Sequence, residues 1–341
     1  MVSGVNVPRI PAEPSAVLAA LRPATALLPC ETPLHPLPRI SEELGREVWV
    51  KRDDLTAVGV GGNKIRKLEL LLAEALDQGA DTLVTVGAAQ SNHARATAAV
   101  AAMAGLRCHL VLGGEEPDTR TGNLLLDDLL GASLEYVPAG DWATLFAAAQ
   151  TAVERLRDAG RNPYLMPVGG STPLGSLGFA AGYAEFALQA AELGLDAASI
   201  VLANGSAGTQ AGMLAGQAAL AGRERIVGVA VALESEVISP LTDGLAGEAA
   251  RLLESRLPES TPVSPTSAVV LDGYRGAAYG QPTQSSEDAM RVMLRREGIL
   301  LDPVYTAKAF AAVLRSDPSI PPGPVVFWHT GGMPAVFAAS H

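Results

Sequence analysis

From residue 47 onward, short runs rich in β-branched and apolar residues alternate with longer Ala- and Leu-rich stretches. In the longer stretches the apolar positions recur every three or four residues, the spacing of one helix face. The runs at 47–51 (EVWVK), 82–86 (TLVTV), 107–112, 133–137, 200–203, 226–231 and 325–328 predict strands. The run at 82–86 is apolar throughout and fits a strand buried on both faces. Residues 64–78 place Leu68, Leu71, Leu72 and Ala75 on one face and predict a helix. Further helices are predicted at 91–104, with Ser91 as N-cap, and at 123–130, 141–159, 176–193, 209–220, 285–297 and 306–314. Such alternation predicts an α/β protein whose parallel sheets are covered on both faces. The Pro-, Ser- and Thr-rich stretch 258–267 is expected to be a surface loop, and no internal repeat interrupts the pattern.

The chain has 341 residues, enough for about two domains. At 48% hydrophobic and 18% charged residues it has the make-up of a globular protein. A net charge of −11 argues against a nucleic-acid partner or an anionic membrane surface, though not against a local site for a small anion. Two cysteines, Cys30 and Cys108, exclude a disulfide scaffold, and the five histidines show no zinc-binding spacing, so no metal is expected. The first 15 residues lack the basic patch and apolar core of a signal peptide, and the longest apolar stretch, 97–106, is too short to cross a bilayer. A cytoplasmic location is expected. The unusual number is 35 glycines beside 4% aromatics, which raises the question of where the backbone must turn sharply or approach something closely.

Four segments concentrate glycine with reactive side chains. In ANGSAGTQAG (203–212) a strand runs through a glycine turn into a helix. That arrangement can bind an anion on backbone N–H groups and the helix dipole, with Ser206 and Thr209 adding hydroxyl donors. It equally describes an ordinary strand-to-helix turn. No GK[ST] follows, and GxGxxG is absent, which weakens a dinucleotide-binding reading. In GVGGNKIRKLE (59–69) Asn63 is a candidate helix cap, and Lys64 and Lys67 fall in the first turn on one face. Cations are disfavoured there. A lysine held near another cation or desolvated becomes a nucleophile, while the same spacing also fits two exposed surface lysines.

In GAAQSNHARA (87–96) Ser91, Asn92 and the first helical amides can clamp a carboxylate or oxyanion; the alternative is an N-cap followed by a satisfied His93. Tyr279 in AAYGQP and Tyr305 in LLDPVYTAKA are candidate phenolic acid/base groups, or else packed surface aromatics.

Together VKRDDLT, GGNKIRKLE, GAAQSNHARATAA, PVGGSTPLGSLGF, NGSAGTQAG, AYGQP, GILLDPVYTAKA and HTGG, in that order over about residues 32–337, resemble the D-cysteine desulfhydrase and 1-aminocyclopropane-1-carboxylate deaminase family. That family belongs to the fold type II, tryptophan-synthase-β-like pyridoxal-phosphate enzymes. The resemblance implies an α/β fold of two parallel-sheet three-layer domains, a larger one of residues 1–66 plus 179–341 and an inserted one of 67–178, with the cofactor between them. It implies a homodimer, pyridoxal 5'-phosphate as cofactor and a small amino acid as substrate. Lys64 is implied as the lysine that bonds the cofactor and moves protons. Lys67 and Gly205, Ser206, Ala207, Gly208 and Thr209 are implied to hold the phosphate, and Asn92 the phenolic oxygen. Ser91, Asn92 and His93 would hold the substrate carboxylate, Tyr279 and Tyr305 would flank the substrate, and Thr330 would lie near the pyridine nitrogen.

Two departures bear on the substrate. The deaminase branch typically carries Glu after the second tyrosine, where this chain has Thr306, so the resemblance leans toward D-cysteine desulfhydrase. LDGYRGAAYG replaces a pattern nearer PGYG, so Arg275, Ala277 and Ala278 are expected to reshape the pocket. The implied reaction is α,β-elimination of D-cysteine to pyruvate, hydrogen sulfide and ammonia. Its rivals are a cyclopropane-opening deaminase, a lyase for another β-substituted amino acid such as cysteate, a nucleotide-binding oxidoreductase, and a catalytically silent binding protein.

Overall fold

The structure is a computed structural model that describes residues 10–23, 26–138, 141–258 and 263–338. Residues 259–262 of the expected surface loop, and the first nine residues weighed as a leader, lie outside the described residues.

Two sheets form the framework. The larger runs in the order β1 (Leu34–Pro36), β2 (Val48–Arg52), β10 (Val325–His329), β7 (Ser199–Asn204), β8 (Arg225–Ala230) and β9 (Val269–Leu271). Only its edge pair β1–β2 is antiparallel. The smaller sheet is all parallel, ordered β5 (Ser133–Val137), β4 (Arg107–Gly113), β3 (Thr82–Ala88) and β6 (Pro163–Met166). Every residue of β7 and β10 is buried, as strands covered on both faces must be. The helices are α1 (Pro14–Ala20), α2 (Pro38–Leu44), α3 (Lys64–Asp77), α4 (Asn92–Ala104), α5 (Gly122–Leu129), α6 (Trp142–Asp158), α7 (Pro173–Leu193), α8 (Gly208–Leu220), α9 (Ser235–Glu254), α10 (Gln284–Glu297) and α11 (Thr306–Leu314).

One face of the large sheet packs on α10 and α11 through Met293, Phe310 and Phe327; the other packs on α7 and α8 through Phe179, Phe186 and Met213. The small sheet lies between α3 and α4 on one side and α6 on the other. Helix α3 packs on α7 and α7 on α8, so α3 and α7 tie the two sheets together. Gly212 and Gly178 make these crossings close. A Cβ on Gly212 would meet Phe179 Cβ at 2.8 Å, and one on Gly178 would meet the backbone carbon of Arg66 at 2.5 Å.

The strand register sets up the cleft. In β2 and β10, Lys51 pairs with Trp328 and Arg52 with His329, so the segments after both strands leave the sheet side by side. The Asn63 N–H donates to Thr330 O at 3.0 Å, fixing the start of α3 against the HTGG turn. The NGSAG turn leaves β7, the neighbour of β10, at the same carboxyl edge, where parallel sheets bind ligands.

The alternation predicted from the sequence is present, but α1, α2, α9, β1, β6 and β9 are not among the predicted elements, and one expected cap is absent. Helix α9 was not foreseen, because Pro240, Gly244 and Gly247 interrupt its apolar spacing. Strand β6 was missed because Pro163 opens it; it is an edge strand, where a missing N–H costs no ladder bond. Asn63 is not the side-chain cap expected: its backbone is already helical and its side chain makes no cap bond.

Candidate active site

The carboxyl edges of both sheets face a cavity of about 690 Å³. Of the residues singled out from the sequence, Lys64, Ser91, Asn92, His93, Gly205, Ser206, Ala207, Thr209, Tyr279, Tyr305 and Thr330 line it, and Lys67 and Gly208 pack against each other directly behind.

Lys64 is the first residue of α3, with Nζ donating to Asn63 Oδ1 at 2.9 Å. Burial and then the Arg95 guanidinium push its pKa down to about 8, against the pull of Asp302. Lys67, one turn on, is fully buried and donates to Gly169 O at 3.2 Å and Ser171 Oγ at 3.1 Å. Burial first, and Lys64 next, hold its pKa well below the usual lysine range. The alternative of two surface lysines is therefore wrong. They break the helix-dipole rule because the space before them is a cleft rather than water.

The 205–209 turn enters α8 without a side-chain cap, with Ala207 N–H committed to Asn204 Oδ1 and Gly208 N–H to Ser206 O. Ala207 adopts φ 65, ψ −46, a conformation that non-glycine residues rarely take. Asn204 anchors the turn from behind: its Oδ1 accepts from Ala207 N–H at 3.0 Å, and its Nδ2 donates to Gln210 and Thr242. A Cβ on Gly208 would lie 2.5 Å from Lys67 Nζ, so only glycine lets the two approach. Two links lock the turn to its neighbours. Asn63 Nδ2 donates to Thr209 Oγ1 at 3.0 Å, and Lys67 Nζ, Ser171 and Ser206 form a continuous hydrogen-bonded chain. Ser171, in the PVGGST segment, was given no role from the sequence; its partners are distant in the chain.

At the start of α4, Ser91 caps as expected, its Oγ accepting from Ala94 N–H at 3.2 Å. Asn92 follows, with Oδ1 accepting from Asn123 Nδ2 at 2.9 Å. His93 is not a satisfied histidine: it is 2% exposed, and neither ring nitrogen has a partner among the described residues. Burial, then Lys64 and Lys67, keep it neutral.

Opposite, the Tyr279 and Tyr305 hydroxyls hydrogen-bond to each other. Burial raises both phenolic pKa values. The Tyr279 hydroxyl raises that of Tyr305 further, so both are protonated at neutral pH. Trp142 of α6 packs edge-on against Tyr279, rings 6.2 Å apart at 76°, and with Phe146, Ile238 and Leu241 forms an apolar outer wall not foreseen from the sequence. Thr306 is off the cavity wall, and its Oγ1 is committed to Asp302 at 2.7 Å. Arg275 pairs with Glu234 near the surface, and Ala277 and Ala278 are also off the wall.

A buried ionic cluster, also unforeseen, fixes α3 against the large sheet. Arg66 of α3 bridges Asp53 and Glu185 at 2.9 Å each, Lys51 of β2 pairs with Glu185, and Thr32 and Trp328 donate to the same carboxylates. Burial opposes the Glu185 charge, but Arg66 and Lys51 outweigh it and hold its pKa at about 2. Asp53, Arg66 and Glu185 span much of the chain, which is why spacing did not reveal them.

Pyridoxal phosphate carries a dianion, an aromatic ring and a carbon that bonds an amine, and the cleft has a counterpart for each. The uncapped end of α8, the Lys67–Ser171–Ser206 chain and the space before Gly208 suit a phosphate. Lys64 offers a readily deprotonated amine, and the unpartnered His93 leaves hydrogen bonds for a bound group. Fold and cleft define the class as a fold type II pyridoxal-phosphate enzyme. Comparison with known proteins agrees: the family model for pyridoxal-phosphate dependent enzymes matches residues 26–331, and the chain belongs to that family. The chain is 41% identical to a D-cysteine desulfhydrase of Salmonella choleraesuis (strain SC-B67), covering 93% of this chain and 96% of that protein. It is 40% identical to a putative 1-aminocyclopropane-1-carboxylate deaminase of Pyrococcus abyssi (strain GE5 / Orsay), covering 92% and 93%. A crystal structure of an ACC deaminase homologue superposes with a TM-score of 0.86 at 41% identity, covering 94% and 96%. A threonine deaminase at 20% identity and TM-score 0.66 shares the fold alone. No helix among the described residues is long and apolar enough to cross a membrane.

Proposed function

We propose that the chain catalyses α,β-elimination of D-cysteine, which with one water gives pyruvate, hydrogen sulfide and ammonia. The observation that carries this reading is the Lys64 amine, at a pKa of about 8, facing a hydrogen-bonded tyrosine pair across a cleft that ends in a phosphate-type cradle. When bound, pyridoxal phosphate supplies an electron sink for the charge left at Cα.

The chain's own residues do the rest. Lys67, Ser206 and the 205–209 turn hold the phosphate, and Asn92 donates to the phenolic oxygen. Thr330 offers a neutral hydroxyl at the ring nitrogen. The Ser91 hydroxyl, Asn92 and the backbone amide of His93 grip the substrate carboxylate, which fixes which Cα–H points at Lys64. The Lys64 amine takes that proton. The Tyr279–Tyr305 pair, protonated at neutral pH, delivers a proton to the departing sulfur. The cleft lies between a larger domain of residues 1–66 plus 179–341 and an inserted one of 67–178. We place the enzyme in the cytoplasm as a homodimer, which light scattering of the purified protein tests.

The relatives carry two activity names, so 1-aminocyclopropane-1-carboxylate is the second substrate to assay. Steady-state assays with D-cysteine, L-cysteine, β-chloro-D-alanine and the cyclopropane substrate decide. Sulfide release from D-cysteine in preference to L-cysteine is expected. Turnover of the cyclopropane alone would overturn the reading.

A further inference from the structure

Asn123 lies in the first turn of α5, is fully buried, and is outside the cavity wall. Its side chain has only one possible orientation. Nδ2 donates to the Gln90 carbonyl at 2.9 Å, a group that can only accept, and Oδ1 accepts from Arg95 Nε at 3.3 Å, a group that can only donate. Turning the amide over would set donor against donor and acceptor against acceptor. The backbone is held too: Asn123 N–H donates to Gln90 Oε1 at 2.8 Å, and Gln90 Nε2 donates to Thr121 O. Arg95 is anchored by the carbonyls of Gly59 and Gly61, in the turn that precedes Lys64.

The second Nδ2 hydrogen of Asn123 points at Asn92, 2.9 Å away. The Asn92 atom facing it must accept, so it is Oδ1, and Asn92 Nδ2 is left to face the cavity that Asn92 lines. We propose that Asn123 is a positioning residue that sets the polarity of Asn92, so that the cleft presents an N–H donor, never a carbonyl, to an oxygen anion of the bound cofactor. This rests on the cofactor reading given above.

The decisive variant is Asn123→Asp. It keeps the shape but replaces the donating Nδ2 with oxygen, which draws the Asn92 amide round and turns its carbonyl into the cleft. Asn123→Leu removes the constraint without imposing the opposite one. The readouts are pyridoxal-phosphate dissociation measured by equilibrium dialysis and the pH midpoint of the visible absorption band of the loaded protein. Losing one hydrogen bond to a charged oxygen predicts about tenfold weaker retention in Asn123→Asp. The band midpoint moves to higher pH, because an oxygen anion without its donor holds the neighbouring proton more firmly. Asn123→Leu shifts both in the same direction by less, and Asn123→Gln, which keeps the donor, restores part of each. Wild-type protein without any visible band would refute the cofactor reading itself. A normal wild-type band with retention and midpoint unchanged in both folded variants, judged by circular dichroism, would overturn the role of Asn123.

Discussion

Glu185→Gln probes how the fold holds α3, and with it Lys64, in place. The carboxylate lies on α7 with its side chain 8% exposed and accepts from Arg66 at two contacts of 2.9 Å, from the Thr32 N–H at 3.0 Å and hydroxyl at 3.2 Å, and from Lys51. Its pKa falls from an ordinary 4.5 to about 2. At 1.36 kcal/mol per pH unit, that difference corresponds to about 3 kcal/mol of stability at neutral pH. The figure agrees with the roughly 3–5 kcal/mol lost when one member of a buried pair is removed. Because the folded-state pKa is depressed, this stability is fully present above pH about 4.5 and is lost as pH falls through about 2. Urea unfolding followed by tryptophan fluorescence, on wild-type and Glu185→Gln protein, should give a difference of about 3 kcal/mol at pH 7, narrowing to roughly 2 kcal/mol at pH 3.5. A difference under about 1 kcal/mol at pH 7, or one that does not change with pH, would refute the assignment of stability to this carboxylate.

Further predictions concern the cleft itself. Lys67→Met keeps the apolar stem but removes the buried amine behind the cradle, and should weaken pyridoxal-phosphate retention by about 10- to 100-fold in equilibrium dialysis. Tyr305→Phe keeps the ring and removes the shared proton; kcat for D-cysteine should fall by about 100-fold or more with cofactor retention unchanged. With its pKa near 8, the Lys64 amine loses its proton well below the usual lysine value. The rate at which cofactor-free protein takes up pyridoxal phosphate should therefore rise with pH through a midpoint near 8 in stopped-flow absorbance, and not near 10.5.

The strand and helix alternation was legible because buried parallel strands and amphipathic helices repeat at different periods over enough residues to register. The short or interrupted elements were not. Pro163 hides β6, and Pro240, Gly244 and Gly247 hide α9, whose residues Ile238 and Leu241 wall the cavity. The glycine turns flagged the right places, since Gly208 and the Ala207 bend are where backbone must approach Lys67. What sequence spacing could not give was pairing across the fold: Tyr279 with Tyr305, Lys67 with Ser171, Asn92 with Asn123, and Arg66 with Glu185, 119 residues apart. A clue lay in α7, where Glu185 follows the uncharged run 173–184, a charge that burial permits only with partners. Thr306 shows the reverse: a conspicuous sequence difference whose side chain serves the Asp302 turn and does not touch the cleft.

Which lysine bonds the cofactor, cavity-lining Lys64 or its fully buried neighbour Lys67, decides the proposed function. Borohydride reduction of the pyridoxal-phosphate-loaded protein, followed by proteolysis and mass spectrometry, tests it directly. Loss of the visible band and a single phosphopyridoxyl group on the peptide at Lys64, absent in Lys64→Ala, are expected. An adduct on Lys67, on another lysine, or on none would contradict the assignment to Lys64.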